Sequence, residues 1–384
     1  VSAGAPPGGD GSAGAPFATL QSAIDAGTTL DGDTLSVAAG VYVENIRMNG
    51  KLLTLRGEGG PTVTTVRAAA AGPVVLLDAT GCYFEGFTVT GAFQGPALRV
   101  PAPQSGSAWI RRCIVTGNAD VGLQQNYDAV VESCTIVGNG GAGIEMGSLA
   151  VLHMSSCIVW GNGVPVGPFT GFGTNVRWCV LDNGFCPPCG NLSVDPRLWN
   201  PQLGDFRLRP SSPCIDAGDP MAPPDADLSR RDIGALAFDA AYIPPPQPYC
   251  TSKVNSLGCT PAIGWSGLPQ VSGGSFLIEC TQVLNQRAGL LFYGFQPQFL
   301  PFQGGRLCVR APTVRTPVAN SGGHPAPPDD CSGVYSFDFG ARIHSGVDPA
   351  LSAGALVYAQ FWFRDPASSF QSGRSDAVSF GVRP

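Results

Sequence analysis

WIRRCIVTGN (109–118), VVESCTIVGN (130–139), HMSSCIVWGN (153–162) and RWCVLDN (177–183) are four copies of one unit. Their cysteines, Cys113, Cys134, Cys157 and Cys179, follow one another at spacings of 21, 23 and 22 residues. An aliphatic residue stands two places after each (Val115, Ile136, Val159, Leu181), and an asparagine closes each copy (Asn118, Asn139, Asn162, Asn183). A period of this length is the mark of a solenoid. The copies hold β-branched residues, Gly and Asn with no 3.6-residue period, so each is expected to be a coil of short strands.

Alternation assigns the faces. Ile110, Val131 and Met154 lie three residues before a cysteine and should point inward with Val115, Ile136 and Val159. Arg111, Glu132 and Ser155 fall between them and should face water. Stacked coils place like residues about 4.8 Å apart. The cysteines then make an internal column of buried free thiols, and the asparagines a ladder of amides bonded up and down the stack. A column of disulfides is the competing arrangement, but four stacked cysteines cannot all pair along it without distortion.

The chain has 384 residues, 52 Gly, 35 Pro and only 13% charged residues, a turn-dense composition with room for two domains. No apolar run is long enough to span a membrane as a helix. The opening VSAGAPPGGDGSAGAP has no charged and apolar halves of a signal peptide and no initiator Met, which suggests a processed start. Thirteen cysteines beside two lysines and three histidines point to disulfides in a secreted or surface setting. Residues 1–240 carry 13 basic and 21 acidic groups, and residues 241–384 carry 9 and 7. Neither half has a basic patch for nucleic acid.

In chain order, residues 1–15 are a low-complexity arm expected to be mobile in an isolated subunit. A helix over 16–27 is expected next, with Phe17, Leu20 and Ile24 on one face, capping a solenoid that occupies 16–240. Phe87 stands at the cysteine position of an earlier coil. AYIPPPQP (241–248) reads as a stiff linker. Residues 249–384 hold apolar runs bounded by Gly and Pro, the pattern of a β-sandwich. Within it Cys250–Cys259 and Cys308–Cys331 are the expected bridges, each closing a short loop, and Cys280 is expected to be a buried free thiol. Cys186–Pro187–Pro188–Cys189 is expected to be a structural bridge, with Cys214 as an alternative partner for one of the two.

The stretch DGSAGAPFATLQSAIDAGTTLDGDTLSVAAGVYVENI followed by KLLTLRGEGG resembles the opening of secreted right-handed parallel β-helix proteins, the pectate-lyase-like superfold. VDPRL, DFRL, SPCIDAGDP and RDIGA resemble the close of the same solenoids. The resemblance covers roughly residues 9–238 and implies an all-β fold: a right-handed parallel β-helix followed by the sandwich. It implies no particular reaction. YCTSKVNSLGCTPAIG, with LPFQGGRLCV and DCSGVYSFDF, resembles a C-terminal module of exported bacterial proteins and implies export.

Carbohydrate chemistry on a solenoid flank needs paired carboxylates, or an acidic calcium cage with a cationic base. The strands ALRV, GLQQ and GIEM of successive coils would stack Arg99, Gln124 and Glu145 outward, which makes Arg99 and Glu145 the catalytic candidates. No second acid falls in register. Asp216, Asp219, Asp225 and Asp227, with Asp232, form the densest acidic cluster. They are expected to close the last coil, or alternatively to hold Ca²⁺; no other cofactor is expected. His153, His324 and His344 are scattered, and no Ser/His/Asp set can be assembled from the sequence. The reading that results is an extracellular structural or adhesive scaffold, leaning away from enzymatic activity, with homopolymer assembly through the arm or the sandwich. The alternative is a lyase, hydrolase or glycan binder with an extracellular polysaccharide as partner.

Overall fold

Successive coils of the repeat give short strands to three parallel sheets. The computed structural model describes residues 1–101, 106–148, 150–164 and 174–384. These divide into two compact units, Val1–Asp239 and Ala240–Pro384. Among the described residues the first sheet stacks seven strands from Thr34–Val37 to Asn175–Arg177, and the second seven from Gly40–Val43 to Val180–Leu181. The third stacks five from Ile46–Arg47 to Ile144–Met146.

The repeat fixes where each coil bends. Arg112, Ser133, Ser156 and Trp178, each just before a ladder cysteine, have left-handed backbones with φ between 47° and 54°. They turn the chain from the first sheet into the second. In the earlier coil Gly86 does the same before Phe87, the one residue type without a steric cost there. Ile110, Val131, Met154, Val115, Ile136 and Val159 are all buried in one continuous core, and Phe87 joins it in the cysteine column. Phe84 stacks on Phe87 with ring centroids 4.5 Å apart.

The helical cap is shorter than the sequence suggests. It runs Leu20–Asp25, because Thr19 rather than Pro16 supplies the cap, accepting from Ser22 N. Leu20, Ala23 and Ile24 are buried, while Phe17 lies ahead of the helix. The first coil grips both ends. The Glu44 carboxylate accepts from Leu20 N and Gln21 N, and Lys51 Nζ donates to Ile24 O, Ala26 O and Thr29 O. A carboxylate at the N-terminus and an ammonium at the C-terminus both suit the helix dipole.

The arm is not free. Val1 N donates to Ser36 O at 2.7 Å, Ala38 N donates to Val1 O, and Ser2 N donates to Phe17 O. Val1 and Ser2 are therefore tied down beside the first coil, and Val1 packs against the core.

The closing segment also differs from expectation. It does not lie over the last coil as a lid but runs as a strap along the outer face of the second sheet. Leu198, Phe206, Leu208, Cys214 and Ile233 bury Ile114, Val137, Ile158 and Val180. Gly234 N donates to Ser156 O and Ala235 N to Thr135 Oγ1, one coil apart.

In the second unit every sheet is antiparallel. One sheet orders Gln247–Tyr249, Ser372–Gly381, Leu356–Arg364, Ala288–Gly294 and Val314–Arg315. A second comprises Ala262–Gly267, Phe276–Val283 and Gly333–Asp338. Phe276, Ile278 and Cys280 from one share a core with Leu291, Phe361, Phe363 and Phe380 from the other, which makes a sandwich. A helix, Phe339–His344, follows directly on a strand, capped by Asp338. The run 241–248, read as a linker, is partly structural: Pro248 pairs with Val378, and Gly381 N donates to Pro244 O.

The bridges in this unit are Cys250–Cys308 and Cys259–Cys331, not the two short loops expected. The reason is the pairing of strands distant in sequence. Tyr249 buries its ring, and its hydroxyl donates to Cys308 O at 2.6 Å, which brings Cys250 to Cys308. Asn255 Oδ1 accepts from Cys259 N while its amide donates to Cys331 Sγ. Cys186 is bonded to Cys189, and Cys214 is free and buried.

Candidate functional site

The solenoid flank is the first place to look, since its outward side chains repeat in columns. Arg99, Gln124 and Glu145 share one register on the third sheet. Gln124 Nε2 donates to Glu145 Oε2 at 3.0 Å. Arg99 and Glu145 are two strand spacings apart, roughly 9.6 Å, with the amide between them. The column thus holds one carboxylate occupied by its neighbour, rather than two acids facing a common bond.

The first sheet carries a longer column that sequence reasoning reduced to "faces water". Arg56, Glu85, Arg111 and Glu132 follow one another in register. Arg111 Nε lies 2.7 Å from Glu132, and Arg56 Nε 3.8 Å from Glu85. Beside it Tyr83 and Trp109 stack at 5.4 Å with planes 14° apart. The Arg111 guanidinium lies 4.6 Å from the Trp109 ring centre. Both rings are half-buried and lie on the flank. The signal was present: both stand four places before the cysteine position of their coil.

The cysteine and asparagine columns are internal. Cys113, Cys134, Cys157 and Cys179 are fully buried free thiols. Asn118 Nδ2 donates to Asn139 Oδ1 at 2.8 Å, and Asn139 Nδ2 to Asn162 Oδ1 at 2.9 Å. Asn183 differs: it is exposed, with its Oδ1 accepting from Phe185 N. In that copy Gly follows the asparagine instead of preceding it, and Asn191 takes the inner position, donating to Val176 O and accepting from Cys179 N.

Burial pushes the Cys82 and Cys214 thiols up to about 12 and those of Cys113, Cys134 and Cys157 well above the ordinary range. Thiolate is the reactive form. Iodoacetamide at mildly alkaline pH is therefore expected to leave Cys113, Cys134 and Cys157 unlabelled in the folded protein. All seven free cysteines should label after denaturation. Mass spectrometry checks this, and rapid native labelling of Cys113, Cys134 or Cys157 would mean the stack is not closed.

The strap's aspartates do not converge. Asp232 accepts from Asp216 N and Phe238 N, Asp225 from Asp232 N, Asp219 from Met221 N, and Asp227 from Ser229 N. The Asp219 and Asp227 carboxylates close local turns, and those of Asp225 and Asp232 tie together parts of the strap further apart in sequence. Among the described residues no group of three or more His, Cys, Asp or Glu side chains is placed to hold a metal ion. Among them, Arg230 Nε donates to Gly218 O and Arg231 Nη1 to Ser133 Oγ.

One trio escaped the sequence reading. His324 Nδ1 lies 2.7 Å from Asp330 Oδ2, and Ser332 Oγ donates to the other oxygen of Asp330. Ser332 also accepts from His324 N. The serine is thus bonded to the acid rather than to the imidazole, the reverse of a nucleophile–base relay. These bonds, those from Ser332 foremost, pull the Asp330 carboxyl down to about 2.

The coil geometry defines the first unit as a right-handed parallel β-helix. Residues 77–179 match the family described as right handed beta helix region. Over 79 residues the chain is 34% identical to a cell surface glycoprotein of Methanothermus fervidus, a match spanning 21% of this chain and 13% of that protein. The solved structure of pectate lyase Pel9A is similar with a TM-score of 0.31 at 12% identity, over 62% of this chain and 96% of that one. Among the described residues no helix is long and apolar enough to cross a membrane, and three disulfides suit an oxidising compartment.

Proposed function

We propose that this chain is an extracellular, surface-associated scaffold whose solenoid serves adhesion and structure rather than turnover. The observation that carries it is how the flank side chains are used. Arg56 with Glu85 and Arg111 with Glu132 pair as ions along the stack, and Gln124 bonds to Glu145, each to its neighbour in the column. A catalytic flank would aim its acid, base and cation at one point between coils. The similarity to a cell surface glycoprotein over 79 residues supports the same location.

A second reading, glycan binding on the flank, is favoured by the half-exposed Tyr83–Trp109 pair, because aromatic side chains on a flank suit sugar contacts. Immunogold labelling of intact native cells tests the location, and label appearing only after permeabilisation would overturn it. Incubation with acidic and neutral polysaccharides, followed by assays for new reducing ends and unsaturated products, tests the chemistry. Binding without turnover is expected; steady product release abolished by Glu145→Gln would overturn the scaffold reading.

A further inference from the structure

The outward face of the larger sheet in the second unit holds a cleft that the scaffold reading does not use. Alternation along Leu356–Arg364 sends Phe361 and Phe363 into the core and leaves Trp362 and Arg364 on the opposite face. Strand register sets Arg374 beside Trp362. The hairpin of Pro297–Phe302 and Gly305–Val309 closes over them. Arg374 anchors it, donating to Phe302 O and to Gln303 Oε1, both at 2.9 Å.

The space enclosed is about 470 Å³, and its wall holds Arg315, Arg364 and Arg374, the rings of Trp362, Phe302 and Phe370, and no acidic side chain. That volume falls within the usual range of ligand sites. Arg374 is only 3% exposed, at the floor, while Arg315 and Arg364 are exposed. None of the three makes an ion pair among the described residues. The Arg364 guanidinium lies 5.3 Å from the Trp362 ring centre, and that of Arg374 4.5 Å from the Phe302 ring centre.

Three cations around an aromatic floor, with no acid among them, form a site short of negative charge. A guanidinium fork matches a planar carboxylate, and an indole face takes the apolar side of a sugar ring. We propose that this cleft binds a carboxylate-bearing ring of an acidic polysaccharide, with Arg364 on the carboxylate and Trp362 stacked on the ring. Nucleic acid is the weaker fit. The unit as a whole has 9 basic and 7 acidic groups, too little net charge for a track along a phosphate backbone. The proposal stands on the second unit alone and survives failure of the scaffold reading.

The test is calorimetric titration of the full chain with tetramers of glucuronate, galacturonate and mannuronate. Cellotetraose serves as the uncharged counterpart of the β-1,4-linked glucuronate, and oligothymidylate as the nucleic-acid control. At least one acidic tetramer is expected to bind, more weakly as salt rises, with cellotetraose weaker by about tenfold or more. Arg364→Gln and Trp362→Ala should each lower affinity by about tenfold or more. Arg364 is exposed, so Arg364→Gln decides the matter even if Trp362→Ala fails to fold. The proposal falls if no acidic tetramer binds, if cellotetraose binds equally well, if oligothymidylate binds tighter, or if Arg364→Gln with an unchanged melting temperature binds as the parent does.

Discussion

Replacing Ile136 by alanine is expected to destabilise the first unit by about 2–5 kcal/mol. Ile136 is 1% exposed and sits in register between Val115 and Val159. The coils on either side are fixed by hydrogen bonds above and below, so they cannot move in to fill the void. The rungs Asn118 to Asn139 and Asn139 to Asn162 hold that spacing just beyond the site. Glu132→Ala is the matched control, two residues outside the same coil's cysteine. It removes a partly exposed pair with Arg111, which keeps its place over Trp109. A surface pair of this kind contributes about 0.2–1 kcal/mol. Denaturant midpoints for the transition of the first unit separate the two. Equal shifts would mean that the inward and outward registers are exchanged.

The coils were legible because their chemistry repeats. A cysteine, an aliphatic residue and an asparagine at a fixed period identify a stack without any knowledge of its bends. The bends themselves were not legible, because Arg112, Ser133, Ser156 and Trp178 share a left-handed backbone but no residue type. The strap left a signal that alternation alone passed over. Ile114, Ile158 and Val180 stand next to Val115, Val159 and Leu181, and apolar residues on both faces of a strand mean both faces are covered. The flank candidates Arg99 and Glu145 were placed in the correct column, yet hydrogen bonding along it depends on rotamers that a sequence does not carry. The cleft in the second unit was out of reach for a different reason. Arg315, Arg364 and Arg374 come from three strands whose order in the sheet is not their order in the chain.

The same long-range pairing governs the bridges of the second unit, where an effect of comparable size is expected. Cys250–Cys308 spans 58 residues and Cys259–Cys331 spans 72, and the two loops overlap. On the chain-entropy account, loops of this length each stabilise the fold by about 4 kcal/mol. The Cys186–Cys189 bridge, with a separation of 3, stabilises it by about 2. The double substitution Cys259→Ala with Cys331→Ala is therefore expected to lower the melting temperature of the second unit far more than Cys186→Ala with Cys189→Ala lowers that of the first. The connectivity can be checked directly, because trypsin has a site between every pair of these four cysteines. Lys253 separates Cys250 from Cys259, Arg287 and Arg306 separate Cys259 from Cys308, and Arg310 and Arg315 separate Cys308 from Cys331. A non-reducing digest should join the peptide carrying Cys250 to the short peptide Leu307–Arg310, and the peptide carrying Cys259 to the one carrying Cys331. Recovery of Cys250 linked to Cys259 would break the placement of Tyr249 against Cys308, and with it the edge on which that end of the sandwich is built.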